Sequence, residues 1–429
     1  MRPTRLLWAA VPAMLIAFLT ANAQTLSLEQ RTFILSKTYA AIPLHFAHWR
    51  GASFKPEHLD SVYREFLTRG LKTEDRKEFA LLMREFVALL HNGHSWYHDN
   101  KVFGSTLPMG FSLAVIDGQW IVTRSVIDGV EIGDCVLRIN ERPVDNHYRE
   151  LSKYFAASDT RAAQGSMIFT LAAVLPNSYT LDIEKKAGAI RSLTVDRTSL
   201  RNTPQAQKTE SRWLEPDKVA YVKIPSFNKP AFENDALEQL KQYNNAAAII
   251  VDVRGNTGGS TPSRLTAALM NRPYRWWTEG TPLTIGLFRY YSEARPTIEL
   301  NEYFRNAQLT WQSYENKPTA NGFPGVVIIL VDRNTGSAAE DFVVPFKDNG
   351  RALIIGESTN GSTGQPFMYS FGDGISLGIG TKRAYMPDGS EFEGIGIKPN
   401  IEILVTRDDL YRGKDRVMER ALAEAAKAR

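Results

Sequence analysis

From residue 27 to about 90 the apolar positions recur every three or four residues, as at Phe79, Leu82, Met83, Phe86 and Leu90, with Pro and Gly at the breaks. That spacing predicts a small helical unit over 24–104, and the unit carries His94. From 109 to about 196 the pattern shortens to strands, at 120–122, 135–139 and 179–183, separated by turn residues. A β-rich unit over 105–200 is expected. Beyond a polar stretch at 201–211, apolar strands at 219–224, 247–253, 325–331 and 352–355 alternate with helical segments at 231–243, 261–270 and from Ala338. This is the signature of an α/β layer over 201–406, closed by a charged helix over 407–429. The layer is interrupted at 273–324 by an insertion containing Tyr274, Trp276, Trp277, Phe288, Tyr290, Tyr291, Trp311 and Tyr314. Long insertions in α/β units often cover a site, so a lid or substrate wall stands beside plain packing as its use.

The 429 residues, 43% hydrophobic and 23% charged, suit a folded chain of two or three domains. Arg2 and Arg5 precede an apolar run at 6–19 and then Ala21-Asn22-Ala23, which reads as a cleaved export signal over 1–23. The run is shorter than the roughly 20 residues of a membrane helix, so no stable span is expected after cleavage. The expected location is periplasmic or secreted. A net charge of +4, with Lys and Arg dispersed, argues against a nucleic-acid partner. Cys135 is the sole cysteine, which excludes an internal disulfide and suits a small buried residue. Nothing in the sequence asks for a cofactor.

The apolar segment 326–331 runs into Asn334-Thr335-Gly336, and Ser337 then stands before the helix-compatible Ala338-Ala339-Glu340-Asp341-Phe342. A serine there is commonly a helix cap. It also sits where unpaired amides and the helix dipole would meet negative charge developing on an attacked carbonyl. The strand at 248–253 ends in Arg254-Gly255-Asn256-Thr257-Gly258-Gly259. Amides of Gly258 and Gly259 could complete an oxyanion hole with that of Ala338. A plain turn or a phosphate loop would use the same glycines, although no Walker Gly-Lys-Ser/Thr follows.

Four ordered motifs resemble the tail-specific, or C-terminal processing, serine peptidases: Tyr221-Val222-Lys223-Ile224-Pro225-Ser226-Phe227, Asp252-Val253-Arg254-Gly255-Asn256-Thr257-Gly258-Gly259, Thr335-Gly336-Ser337-Ala338-Ala339-Glu340 and Gly394-Ile395-Gly396-Ile397-Lys398-Pro399-Asn400. The resemblance implies a multidomain α+β chain with a crotonase-like α/β catalytic core, a serine endopeptidase with Ser337 as nucleophile, and protein or peptide substrates. In addition, Met109-Gly110-Phe111-Ser112-Leu113 and Gly133-Asp134 before a strand resemble a PDZ domain. That likeness implies capture of peptide C-termini by strand addition, with Gly110 and Phe111 in the carboxylate-binding loop. The processing branch uses a lysine base 25 residues after the serine; here that position is Ser362.

The tricorn core instead takes its base from an earlier segment, and Leu89-Leu90-His91-Asn92-Gly93-His94-Ser95 matches it with His94 at the histidine position. An imidazole suits a base that collects and returns a proton. Glu393, in Glu393-Gly394-Ile395-Gly396, matches the supporting glutamate. The tricorn core places a serine immediately before its histidine, whereas this chain has Gly93. The route from Glu393 to His94 stays open between direct contact, a water and Ser95. Two other readings are weighed. His91, His94 and His98 at i, i+3 and i+7 could hold a metal on a helix, but Asn92-Gly93 is a turn signal and no metal is expected. The expected fold also resembles the repeats of interphotoreceptor retinoid-binding protein, so a non-catalytic peptide- or apolar-ligand-binding protein is the alternative.

Overall fold

The computed structural model describes residues 25–104, 106–200, 207–282, 308–319 and 322–427. The expected leader over 1–23 and much of the aromatic insertion, with Phe288, Tyr290 and Tyr291, lie outside the described residues.

Three helices open the described chain: α1 (Leu28–His45), α2 (Leu59–Lys72) and α3 (Arg76–Ala88). Ser27 and Gln30 cap α1 reciprocally, and the Asp75 carboxylate accepts the Glu78 amide at the start of α3. Their apolar faces meet at Leu35, Ile42, Phe66, Phe79, Met83 and Phe86, but the helices do not close this core alone. The short strand β1 (Trp96–Asp99) pairs antiparallel with residues 375–378, and Ile375, Leu377 and Ile379 supply the missing wall. A buried ion pair fixes the junction: Arg76 grips Asp99 through Nε and Nη2 at 2.7 and 3.0 Å, and reaches Asp373 at 2.6 Å. Removing one partner of such a pair costs about 3–5 kcal/mol.

A second sheet follows, with β2 (Phe111–Ile116), β3 (Gln119–Ser125), β4 (Cys135–Ile139), β5 (Ser178–Glu184) and β6 (Ile190–Asp196) side by side in that order. Helix α4 (Thr160–Val174) packs beside β2, which is an edge strand of this sheet. Cys135 is buried in β4, as its apolar neighbours suggested.

The third layer contains β7 (Glu210–Glu215), β8 (Val219–Lys223), β9 (Ala248–Asp252), β10 (Val326–Val331) and β11 (Ala352–Gly356). After it come β12 (Pro366–Gly372), the hairpin partner β13 (Ile375–Gly380), and β14 (Ile401–Glu402). The central order is β14-β11-β10-β9-β8-β7, parallel except for β7. A parallel sheet must be covered on both faces, which is why β9 and β10 read as unbroken apolar runs. Helix α5 (Ala338–Asp348) covers one face with Phe342, Val343 and Phe346. The other is covered by Val417, Ala421 and Ala425.

Those residues belong to the second of two terminal helices, α6 (Arg407–Arg412) and α7 (Arg416–Ala425), where the sequence predicts one. Gly413, at φ 61°, ends α6 in a left-handed turn, and Asp415 caps α7. The separation is therefore set by one glycine.

Candidate active site

The loops after β9, β10 and β11 emerge together at the carboxyl ends of parallel strands, where open α/β sheets place their ligands. Ser337 lies between β10 and α5 with φ 52° and ψ −124°, a left-handed conformation rare for a side chain. Such a residue costs of order 1–3 kcal/mol and persists only where its surroundings hold it. Here the holder is Glu340, fully buried in the first turn of α5. Its carboxylate accepts the Ser337 amide at 3.0 Å, Thr359 Oγ1 at 2.5 Å, and the amides of Gly361 and Ser362 at 2.7 and 3.2 Å. Burial pushes this carboxyl up to about 8, with those four donors working against the shift. One side chain thus anchors both the Ser337 turn and the 359–362 loop.

His94 arrives because β1, which begins two residues later, is stitched to β13. Its Nε2 lies 3.1 Å from Ser337 Oγ. Its Nδ1 lies 3.1 Å from Ser362 Oγ, and Ser362 Oγ donates to Glu393 Oε1 at 3.2 Å. The proton directions follow from this chain. Since the Ser362 proton is used on Glu393, Ser362 Oγ must accept Nδ1–H, which leaves Nε2 with a lone pair facing Ser337. Burial pushes His94 down to about 4, partly opposed by the charge of Asp341 and assisted by Lys382, so the imidazole rests neutral.

Two more donors converge on the same oxygen of Glu393, Ser158 Oγ at 2.6 Å and Asn92 Nδ2 at 2.9 Å. Asn92 also accepts the His94 amide and Ser95 Oγ, each at 3.1 Å, which fixes the turn carrying the imidazole. Ser95 accepts the Gly380 amide in turn, so it ties this turn to β13 and lies off the path from Glu393 to His94. The path runs through Ser362, the residue at the position where the processing branch has lysine. A Cβ built on Gly93 would stand 3.0 Å from Ser362 Oγ. The hydroxyl that the tricorn pattern places before the histidine is here supplied from across the cleft.

Gly258 presses on the nucleophile turn: a Cβ there would come within 2.7 Å of Ser337 Cβ and 2.8 Å of the Ala338 nitrogen. Its own amide donates to Asn256 Oδ1 at 2.9 Å, so it is engaged and is not a free oxyanion donor in this arrangement. The amides of Gly259 and Ala338 have no acceptor among the described residues. Gly110 and Phe111 stand at the start of β2 on the second sheet, outside the contacts of this cluster. His91 Nε2 pairs with Ser53 Oγ at 2.7 Å and His98 lies on β1 beside Phe103, so the three histidines do not converge.

Residues 218–403 match the family model described as peptidase family S41. That stretch, less than half of the chain, is similar to peptidase family S41. Among its relatives, carboxyl-terminal-processing peptidase 2, chloroplastic, of Arabidopsis thaliana is 25% identical over 352 residues, 79% of this chain and 63% of that protein. Tricorn protease homolog 2 of Streptomyces coelicolor is 24% identical over 388 residues, 84% of this chain and 29% of that one. The chain therefore spans less than two thirds of either relative. Among solved structures, mature CPAF superposes with a TM-score of 0.69 at 16% identity, over 93% of this chain and 98% of that one, a likeness of fold. Ser337, Ser362 and Glu393 lie inside the matched S41 segment, whereas His94, Asn92 and Ser158 lie outside it. The matched segment meets His94 because β1 pairs with β13.

Sequence reasoning did not single out Ser362, Ser158, Asn92 or Glu340. Ser362 was visible only as a missing lysine, Asn92 and Glu340 stand inside the motifs of His94 and Ser337 with no role read for them, and Ser158 comes from a separate segment that only the fold brings in.

Proposed function

We propose that the chain is a serine peptidase in which Ser337 is the nucleophile, His94 the general base, Ser362 the relay and Glu393 the acid behind it. The observation that carries this reading is the unbroken run of hydrogen bonds from Ser337 Oγ through His94 and Ser362 to Glu393. Ser337 Oγ attacks a peptide carbonyl as its proton passes to His94 Nε2. The resulting imidazolium keeps its Nδ1 proton on Ser362 Oγ, and the Glu393 carboxylate balances its charge through that hydroxyl. The tetrahedral oxygen is received by the amides of Gly259 and Ala338, each donor being worth about 3–4 kcal/mol of barrier. His94 then gives its proton to the leaving amine, and water repeats the sequence to release the acyl group.

The substrates are protein or peptide chains. The second sheet, with β2 at its edge and α4 beside it, supports the PDZ reading, in which a peptide C-terminus adds to β2 near Gly110 and Phe111. The leader read in the sequence supports action outside the cytoplasm, and among the described residues no helix is long and apolar enough to cross a membrane. Hydrolysis of an unfolded protein by the purified chain, and its loss in Ser337→Ala, tests the proposal. Hydrolysis that survives the substitution contradicts the serine mechanism. Peptide binding without any hydrolysis favours a non-catalytic binding protein on this scaffold.

A further inference from the structure

Behind Glu393 lies a second histidine that the mechanism above does not use. His48 is 1% exposed and its Nε2 lies 2.9 Å from the Lys382 carbonyl oxygen. A carbonyl only accepts, so Nε2 must carry a proton, and the neutral ring presents Nδ1 as a lone pair. Nδ1 has no hydrogen-bond partner among the described residues, and neither has Glu393 Oε2, which faces it at 3.8 Å. Two buried acceptors left unpaired at 3.8 Å cost free energy that a proton shared between them relieves. The other oxygen cannot carry that proton, because Oε1 already receives Ser158, Asn92 and Ser362.

We infer that His48 is the positioning residue of Glu393: a proton on Glu393 Oε2 is drawn to His48 Nδ1 as the 3.8 Å gap between them closes to hydrogen-bond distance, which keeps Oε1 a pure acceptor for the relay. The inference rests on Glu393 supporting His94 as proposed above. The charged surroundings agree with this placement. Arg383, which pairs with Glu391 at 2.7 Å, and His94 both oppose a positive charge on His48, and burial pushes its imidazole down to about 3. Burial pushes Glu393 up to about 7, against its three donors and Arg383. Lys382 has its own partner in Glu279 at 2.5 Å, and Asp341, which faces His94, accepts from Thr261, Trp277 and Thr363. The consequence for the relay is directional. With Oε1 kept free of protons, Ser362 always points its hydroxyl at Glu393 and always receives Nδ1–H of His94, so Nε2 is always the base.

The experiment is spectroscopic and needs no substrate, so the absence of peptidase activity would not decide it. Nitrogen NMR of the resting protein with labelled histidine is expected to show His48 with Nε2 protonated and Nδ1 as a hydrogen-bonded acceptor below neutrality. That Nδ1 signal should shift as Glu393 loses its proton near pH about 7. Infrared difference spectra between the wild type and Glu393→Gln should show a carboxylic-acid carbonyl band that disappears over the same range. In Glu393→Gln the amide N–H takes the place of the acid proton, so the His48 signal should hold the acceptor position with no step at that pH. A doubly protonated His48 at neutral pH, a His48 signal that ignores the Glu393 titration, or the absence of the carboxylic-acid band would each overturn the inference.

Discussion

Replacing Glu393 by Gln isolates the energetic cost of burying this carboxyl. The substitution keeps the shape and the Oε1 acceptor for Ser158, Asn92 and Ser362, and it puts an amide N–H opposite His48 Nδ1. In the wild type, Glu393 rises from 4.5 in the unfolded chain to about 7 in the fold, chiefly because burial penalises its charged form. A carboxyl raised by folding binds more protons folded than unfolded between those values, so its contribution is present below the lower value and is lost as pH rises through the upper. A shift of that size is worth about 3 kcal/mol at ~1.4 kcal/mol per pH unit. Glu393→Gln has no such term, and every other titrating group is shared by the two proteins. Urea melts from about pH 4 to about pH 9 should therefore give stabilities that diverge with rising pH, the variant gaining about 3 kcal/mol on the wild type and the gain levelling off above neutrality. A difference that is flat with pH, or that grows toward acid, would refute the account of Glu393 as a carboxyl raised by burial.

Ser362→Ala removes the relay hydroxyl and should lower kcat by roughly 10²- to 10⁴-fold with little change in KM, the scale seen when a triad's imidazole loses its orienting partner. Adding Gly93→Ser to that variant should recover part of the loss, because a side chain at 93 points at the vacated hydroxyl position; no recovery would mean that Ser362 acts otherwise than as a relay. The acid limb of kcat/KM should lie near pH about 7, where Glu393 ionises, with His94 contributing only near about 4. Persistence of the limb near neutrality in Glu393→Gln would contradict its assignment to Glu393. Glu340→Ala strips the acceptor from four donors and should unfold the 359–362 loop in hydrogen exchange and destabilise the chain by several kcal/mol, on the order of 1–3 for each buried group left unpaired.

The α/β layer was legible because a parallel sheet covered on both faces leaves apolar runs at β9 and β10, and because glycines and a small-residue helix start mark the strand ends. The helical unit was legible as helices, but its dependence on β13 was not. Nothing in the period of residues 27–90 announces that Ile375, Leu377 and Ile379 will complete their core. That long-range pairing is also what delivers His94. The relay shows the same limit from the opposite side. Ser362 stood out as a departure from one pattern and Gly93 as a departure from another, and only the contact between the two positions shows that they are one exchange of a hydroxyl between two backbones. The engaged amide of Gly258 was hidden because Asn256 Oδ1 is a local competitor that spacing does not weigh.

The central claim is that Ser337 is activated by His94. Labelling the purified chain with a fluorophosphonate and mapping the adduct by mass spectrometry tests it most directly. The account predicts modification at Ser337 in the wild type and loss of labelling in His94→Ala, whose circular dichroism remains that of the folded protein. An adduct on another serine, or labelling of Ser337 at an undiminished rate without His94, would contradict it.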